Sequence, residues 1–299
     1  MDEGVHGPRL RAAGIAVHSV GLPRGRVTLA GLRRLRGLVA DLRPDVLQTW
    51  LYHADLLGGL VGRAEGVPAI VWNLRNSYLR ADRTSRTTRL VAWLCARLSR
   101  RLPDAIVSCS RQALETHAAL GYDRARMQVI PNGYDMAHLM PDPAARARLR
   151  AAWGVEPETC LLGLVGRWDP IKGHAVLLDA LARLARHAPT PWRCVLVGAG
   201  VDTGNATLQQ LVAAHSLGNQ VRCLGPRDDV PAVMAALDLH VLASDGEAFP
   251  NVLAEAMACG TPCVTTDVGD AALIVGETGW VVPPRSPEAL AGALAAAQT

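Results

Sequence analysis

The sequence predicts a doubly wound α/β fold, and three observations carry that prediction. Short apolar runs alternate with stretches of helical periodicity along almost the whole chain of 299 residues, as successive βαβ units require. Hydrophobic residues make up 49% of the chain but aromatic ones only 4%, so the core is built from Leu, Val and Ala. That is the palette of buried parallel strands covered by Ala/Leu-rich helices. The two rarest side chains, the single lysine Lys172 and the single phenylalanine Phe249, each follow an apolar run, where open α/β sheets bind ligands. The length suffices for two domains.

Taken in order, Ile15-Ala16-Val17-His18-Ser19-Val20 reads as the first strand. Leu29, Leu32, Leu35, Val39 and Leu42 then mark an amphipathic helix that Pro44 ends. Val46-Leu47-Gln48-Thr49-Trp50 is the next strand, followed by a helix rich in small residues through Gly58, Gly59 and Gly62. Two more strands, Ala69 to Trp72 and Ala105 to Cys109, flank an arginine-rich helix over about residues 84–101, and Val129-Ile130 closes this half. Pro131-Asn132-Gly133-Tyr134-Asp135 is the expected hinge, so the domains divide as 1–135 and 136–299. After the charged stretch from Pro141 to Trp153, strands are expected near 161–166, 193–198, 221–224, 239–243, 262–266 and 280–282. Helices are expected between and after them, near 173–187, 205–216, 230–237, 251–259 and 287–297.

Several function classes drop out on composition. The seven cysteines are scattered with no CxxC, and Gly260-Thr261-Pro262 between Cys259 and Cys263 spells a turn into a strand. They read as reduced thiols, with neither disulfides nor a metal site expected. No stretch approaches the roughly 18–20 apolar residues of a membrane span. Met1-Asp2-Glu3-Gly4 starts acidic with no apolar run behind it, so the expected location is the cytoplasm or the cytosolic face of a membrane. The net charge of +4 is unevenly spread. Residues 1–135 carry 20 Arg against 11 acids, a balance of +9, and the remainder carries −5. The arginines cluster from Arg24 to Arg43 and from Arg75 to Arg101. They read either as solvated helix faces or as a surface that meets anionic lipid or an anionic acceptor. Nucleic acid is not an expected partner, because stacking aromatics are few and no recognition motif is present.

Three motifs carry chemistry. Val195-Leu196-Val197-Gly198-Ala199-Gly200 fails as a dinucleotide fingerprint, since Thr203 stands where the third glycine belongs and no acid follows about 20 residues on. Its glycines read as allowing a strand-end loop to approach a ligand closely. In Gly166-Arg167-Trp168-Asp169-Pro170-Ile171-Lys172-Gly173, two cations five apart enter a helix. A loop there aims Arg167, Lys172 and backbone amides at one diphosphate; the plainer alternative is a pair of surface charges. In Glu247-Ala248-Phe249-Pro250-Asn251-Val252-Leu253-Ala254-Glu255, Pro250 fits a first helical turn, which surrounds Phe249, Pro250 and Asn251 with the positive end of a helix. Glu247 just outside it suits sugar hydroxyls and Glu255 inside it suits a ribose diol. The plainer alternative is a helix-start acid and an exposed glutamate.

These residues together resemble the family-four glycosyltransferases of the GT-B fold, in which two Rossmann-like domains face a cleft. Residues from about 104 to 297 resemble the donor-binding half, and those from about 9 to 103 resemble part of the acceptor half. Val129 to Asp135 is similar to the family's interdomain segment, Gly166 to Gly173 to its G-R-x-x-x-x-K-G loop, and Glu247 to Glu255 to its E-x7-E signature. The resemblance implies transfer of a sugar from a nucleotide-diphosphate-sugar to a cell-surface glycan or lipid-linked acceptor, with retention of anomeric configuration and with neither cofactor nor metal. Arg167 and Lys172 would neutralise the leaving diphosphate. Glu247 would hold the donor sugar and Glu255 the ribose, with Gly166, Phe249, Pro250 and Asn251 lining the donor and Arg227 near the base. Asn76 stands where relatives often place a histidine near the reacting sugar. His53 is the remaining histidine of that region, read either so or as a helix-start residue with a structural hydrogen bond. Against the family pattern, the opening strand-loop-helix-strand unit and the final helices fall outside residues 1–299, which implies an incomplete acceptor side and a chain that binds donor but transfers poorly. A nucleotide-sugar epimerase of the same fold and a non-catalytic binding remnant are the alternatives.

Overall fold

A computed structural model describes residues 4, 6–23, 27–77, 79 and 84–298. The acidic start at Met1–Glu3 and four arginines of the basic clusters, Arg24, Arg26, Arg80 and Arg83, lie outside them. The chain forms two compact units, one of Met1–Leu74, Leu79–Val107 and His117–Gln128, the other of Arg75–Tyr78, Ser108–Thr116 and Val129–Thr299. The main break thus follows Gln128, so the whole segment Val129 to Asp135, expected as a hinge at the end of the first domain, groups with the second unit. Two short pieces of the first half group there too.

The first unit carries α1 (His6–Ala12), α2 (Leu29–Leu42), β1 (Val46–Trp50), α3 (Tyr52–Ala64), β2 (Ala69–Leu74), α4 (Arg86–Leu98), and all but the last residue of β3 (Ala105–Ser108) and of β4 (Met127–Val129), while α5 (Arg111–Ala119) belongs to the second unit up to Thr116. The strands form one sheet in the order β1-β2-β3-β4, with β1 and β2 parallel in the register Val46↔Ala69 to Trp50↔Asn73. The helix over 29–42 starts because the Thr28 hydroxyl accepts the Gly31 amide at 3.1 Å. The core gathers Val61, Ile70, Trp72, Ala92, Cys95 and Ile106. Residues 15–20, expected as a strand, form none. They are largely exposed, Ile15 at 52%, and they pair with none of the four strands of that sheet.

The second unit carries α6 (Pro143–Ala152), β5 (Cys160–Val165), α7 (His174–His187), β6 (Trp192–Val197), α8 (Ala206–Ala214), β7 (Val221–Gly225), α9 (Val230–Ala236), β8 (Leu239–Leu242), α10 (Asn251–Ala258), β9 (Cys263–Thr266), α11 (Ala271–Val275), β10 (Trp280–Val282) and α12 (Pro287–Ala296). All six expected strands form, in the order β10-β9-β8-β5-β6-β7, and every pair is parallel. Leu162, Leu164, Leu177, Leu181, Leu196 and Val241 fill one large apolar cluster, and Leu161, Val195, Met234 and Leu253 belong to another. The charged stretch after Pro141 is the helix α6, which Asp142 caps by accepting the Ala145 amide at 2.9 Å. Its charge is structural. Arg150, 8% exposed, donates to Asp238 at 2.7 Å and to the Thr159 carbonyl at 2.7 Å, and Asp238 also accepts the Leu161 amide at 2.7 Å. Burial pushes the Asp238 carboxyl up, but those bonds outweigh it and hold its pKa below the usual range.

The order of chain progression reverses between β5 and β8, its two central strands. At such a reversal the loops leaving the carboxyl ends diverge to opposite sides and open a crevice. The loop bearing Lys172 leaves β5, and the loop bearing Glu247 leaves β8.

Candidate active site

Three loops at this edge fit backbone against backbone. The β5 loop runs through a single 3-10 turn, Pro170–Lys172, and Asp169 caps it by accepting the Ile171 amide at 3.0 Å. Gly173 then takes φ +69°, and a Cβ there would lie 1.9 Å from the Ala243 carbonyl oxygen. Only glycine fits between the end of β8 and the start of α7. The Asp245 amide donates to the Ile171 carbonyl at 2.8 Å and ties the β8 loop to the β5 loop. Gly269, after β9, takes φ +55°, and a Cβ on it would meet the Ala248 and Glu247 carbonyl oxygens at 2.4 and 2.5 Å. The Asp270 amide donates to the Ala248 carbonyl at 3.1 Å, and its carboxylate accepts the Arg111 and Gln112 amides at 2.8 and 2.9 Å.

This framework brings Lys172 and Glu247 together. The Lys172 ammonium donates to Glu247 Oε1 at 2.6 Å, with 20% and 14% of the two side chains exposed. The Ser244 hydroxyl donates to the same oxygen at 2.8 Å, and the Ser77 hydroxyl donates to the Glu247 carbonyl. A lysine carries three donor hydrogens and a carboxylate has about four acceptor positions, so the pair keeps capacity for a ligand on both partners. Arg167 is more open, at 63% exposure, and donates to Asp169 at 2.9 Å. Burial raises the Asp169 pKa, but the Ile171 amide and Arg167 overcome it and hold that carboxyl low.

The remaining expected residues divide. Gly166 stands at the end of β5, its amide donating to the Val197 carbonyl at 2.8 Å. Pro250 is the residue just before α10, which starts at Asn251 as expected. Asn251 Oδ1 accepts from Asn132 Nδ2 at 2.7 Å and from the Tyr134 hydroxyl at 2.9 Å. Glu255 lies half-buried in the same helix, and burial raises its pKa. Burial and then the nearby Glu255 charge push the Tyr134 hydroxyl up to about 12. Phe249 packs against Cys109, Ala113 and Ala248, which makes it a brace for the loop. Arg227 pairs with Asp229 at 2.7 and 2.6 Å and lies 5.8 Å from the Trp153 ring; the structure does not join it to the Lys172–Glu247 pair. His53 belongs to the first unit. It is exposed in the opening turn of α3, just after Leu51, whose φ of +72° bends the chain out of β1.

The glycines after β6 serve the neighbouring loop. A Cβ on Gly198, at φ +151°, would meet the Gly166 carbonyl oxygen at 2.2 Å, and one on Gly200 would meet Trp168 Cβ at 3.1 Å. Their close approach in this structure is to the β5 loop that carries Arg167 and Lys172. Sequence reasoning missed Ser77, Ser244 and Asp270. Only the adjacency of Ser244 to the end of an apolar run hinted at one of them.

Comparison with known proteins agrees with this architecture. A family model described as Glycosyltransferase Family 4 matches residues 3–138, and one described as Glycosyl transferases group 1 matches residues 159–298. The chain is 36% identical over 197 residues to a D-inositol 3-phosphate glycosyltransferase of Rhodococcus erythropolis, covering 63% of this chain and 44% of that protein. It is 33% identical over 199 residues to the enzyme of that name from Jonesia denitrificans, covering 63% and 47%. The chain thus spans less than half the length of these curated relatives. Among solved structures, HepE of Anabaena in complex with UDP-glucose superposes with a TM-score of 0.83 at 25% identity, covering 97% of this chain and 78% of that one. With two family models side by side over nearly its whole length and that structural likeness, the chain belongs to the family-four glycosyltransferases of the GT-B fold.

Proposed function

We propose that the protein transfers a sugar from a nucleotide-diphosphate-sugar to a glycan or lipid-linked acceptor with retention of anomeric configuration and without a metal. The observation that carries this reading is the Lys172–Glu247 pair at 2.6 Å, set where the parallel sheet reverses its order. A ligand cleaved there meets a cation and a carboxylate at once. As the bond between the anomeric carbon and the diphosphate oxygen breaks, its electron pair leaves with the diphosphate, whose charge Lys172 and Arg167 balance. Positive charge grows on the anomeric carbon, which Glu247 steadies. The acceptor oxygen bonds that carbon on the face the diphosphate leaves, and the hydroxyl proton passes to the departing diphosphate. The two side-chain cations fill the role for which a metal would otherwise be needed. Glu255, with Asn251 and Tyr134 beside it, suits the ribose, and the UDP-glucose held by HepE supports a donor of this class. A lipid-linked acceptor places the work at a membrane surface, in keeping with the +9 balance of residues 1–135; no helix among the described residues is long and apolar enough to cross a membrane.

The test is to measure calorimetric binding of UDP, GDP and ADP, and then transfer from the matching labelled sugars to lipid-linked and soluble glycan acceptors, for the wild type and for Glu247→Gln. Nucleotide binding by both proteins with transfer only by the wild type is expected. Transfer undiminished in Glu247→Gln, or no binding of any nucleoside diphosphate, would overturn the reading.

A further inference from the structure

Helix α4 has two apolar faces, and only one of them is used by the core. Ala92, Cys95 and Ala96 are buried among Val61, Ile70 and Trp72. On the opposite side Leu90 is 56% exposed and Trp93 49% exposed. Arg86 and Arg97 share that side at helical spacing, Arg89 adjoins it, Arg100 follows in the turn just past the helix end, and all four are exposed. Arg97 lies over the Trp93 ring at 4.9 Å, which covers the indole face while leaving the cation in water. From Arg86 to Arg101 the sequence holds five arginines and no acid. A solvated helix face that needed only solubility would carry neither tryptophan nor leucine at its centre. Tryptophan and leucine within a ring of arginine suit the boundary of a bilayer, where the indole sits at headgroup level and the guanidinium groups meet phosphates.

We propose that this outer face of α4, centred on Leu90 and Trp93, docks the protein onto an anionic phospholipid bilayer. The inference rests on the proposed membrane-side acceptor for its purpose, but its observations lie in the first unit alone. The helix lies parallel to the surface, with Leu90 and Trp93 inserted at the headgroup boundary and the arginines around them.

The experiment is co-sedimentation of the full chain with vesicles of phosphatidylcholine alone and of phosphatidylcholine with phosphatidylglycerol, at 0.1 M and 1 M salt, with calorimetric UDP binding measured on the same samples. The wild type should sediment with the anionic vesicles at low salt and be released as the Debye length falls from about 10 Å to about 3 Å. L90A/W93A should lower the partition about tenfold, and each removal of Arg89 or Arg97 about fivefold. Both apolar positions are exposed, so a thermal melt equal to wild type is expected to accompany the loss. R33E/R34E, which removes charge from α2 instead, should retain most of the binding. Equal binding by L90A/W93A and wild type, equal binding to neutral and anionic vesicles, or equal loss in R33E/R34E would overturn the assignment. So would a dimer that L90A/W93A dissolves in the absence of vesicle binding, which would give the face to self-association. Loss of vesicle binding with UDP binding intact separates failure of this surface from failure of the donor reading.

Discussion

At the scale of residues, the Lys172–Glu247 pair makes the sharpest predictions. Lys172→Ala removes a donor placed at the developing charge, and loss of one such group costs about 2.7–4 kcal/mol of transition-state stabilisation. A fall of 10²–10³ in kcat/KM is therefore expected, with the melting temperature little changed because Ser244 still donates to the carboxylate. Arg167→Ala should cost less, since that guanidinium is 63% exposed and screened by solvent. Wild-type kcat/KM in Lys172→Ala would remove the residue from the mechanism. Lys172→Arg should not rescue, because a planar fork cannot repeat the single 2.6 Å contact of an ammonium. Glu255 gives a pH test. Burial raises its pKa, so it takes up a proton at a higher pH than an ordinary glutamate as the solution is acidified. If its carboxylate holds a ribose diol, UDP affinity falls on acidification earlier than a normal glutamate would dictate, and Glu255→Gln removes that inflection. An unchanged inflection in the Gln variant would assign the titration elsewhere.

At the scale of elements, the site is a product of loop-to-loop fit. Gly173→Ala places a methyl against the Ala243 carbonyl at a φ of +69°. The conformational cost alone is about 1–2 kcal/mol, and the collision adds to it, so a loss of at least about 2 kcal/mol in denaturant unfolding is expected together with lost donor binding. Asp270→Ala frees the Arg111 and Gln112 amides and should cost about 1–2 kcal/mol, as lost helix caps do; an unaltered unfolding midpoint would show that water replaces the carboxylate freely. Such features explain what could be read in advance. The six strands of the second unit and the helices between them declared themselves, because burial on both faces leaves continuous apolar runs such as Leu161 to Val165. Lys172, Glu247 and Glu255 were visible as ordered motifs. Ser77, Ser244 and Asp270 were not, since they act through single hydrogen bonds across long sequence separations that leave no periodic trace. Residues 15–20 misled for the converse reason: their composition suits a strand, but a strand also needs a neighbour. The stretch 143–152 read only as charged because its helix places two arginines on one half-buried carboxylate, Asp238.

At the scale of the whole molecule, the two units carry buried ionisable groups whose shifts oppose each other. In the first, Asp55 is fully buried with Thr49 donating to it at 2.6 Å, and burial raises its carboxyl to about 7 against that bond. A raised pKa means that the folded state holds a proton the unfolded chain has released. The resulting stability is full below the ordinary carboxylate value and lost as pH rises through 7. In the second unit, burial lowers His240 to about 3 and His174 to about 4. Here the unfolded chain takes the proton first, so the stability is full above about 6.5 and is lost as pH falls towards 4. Each shifted group contributes about 1 kcal/mol per pH unit within its window. Acidification from pH 7 to pH 5 should therefore strengthen the first unit and weaken the second. Hydrogen exchange corrected for intrinsic rates resolves them separately, with peptides from β1–β3 gaining protection and peptides from β5, β6 and β8 losing it. Asp55→Asn should flatten the first response alone, and His240→Leu should reduce the second. Protection that moves in the same direction in both units, or a slope in β1–β3 that survives Asp55→Asn, would show that other groups govern the acid response.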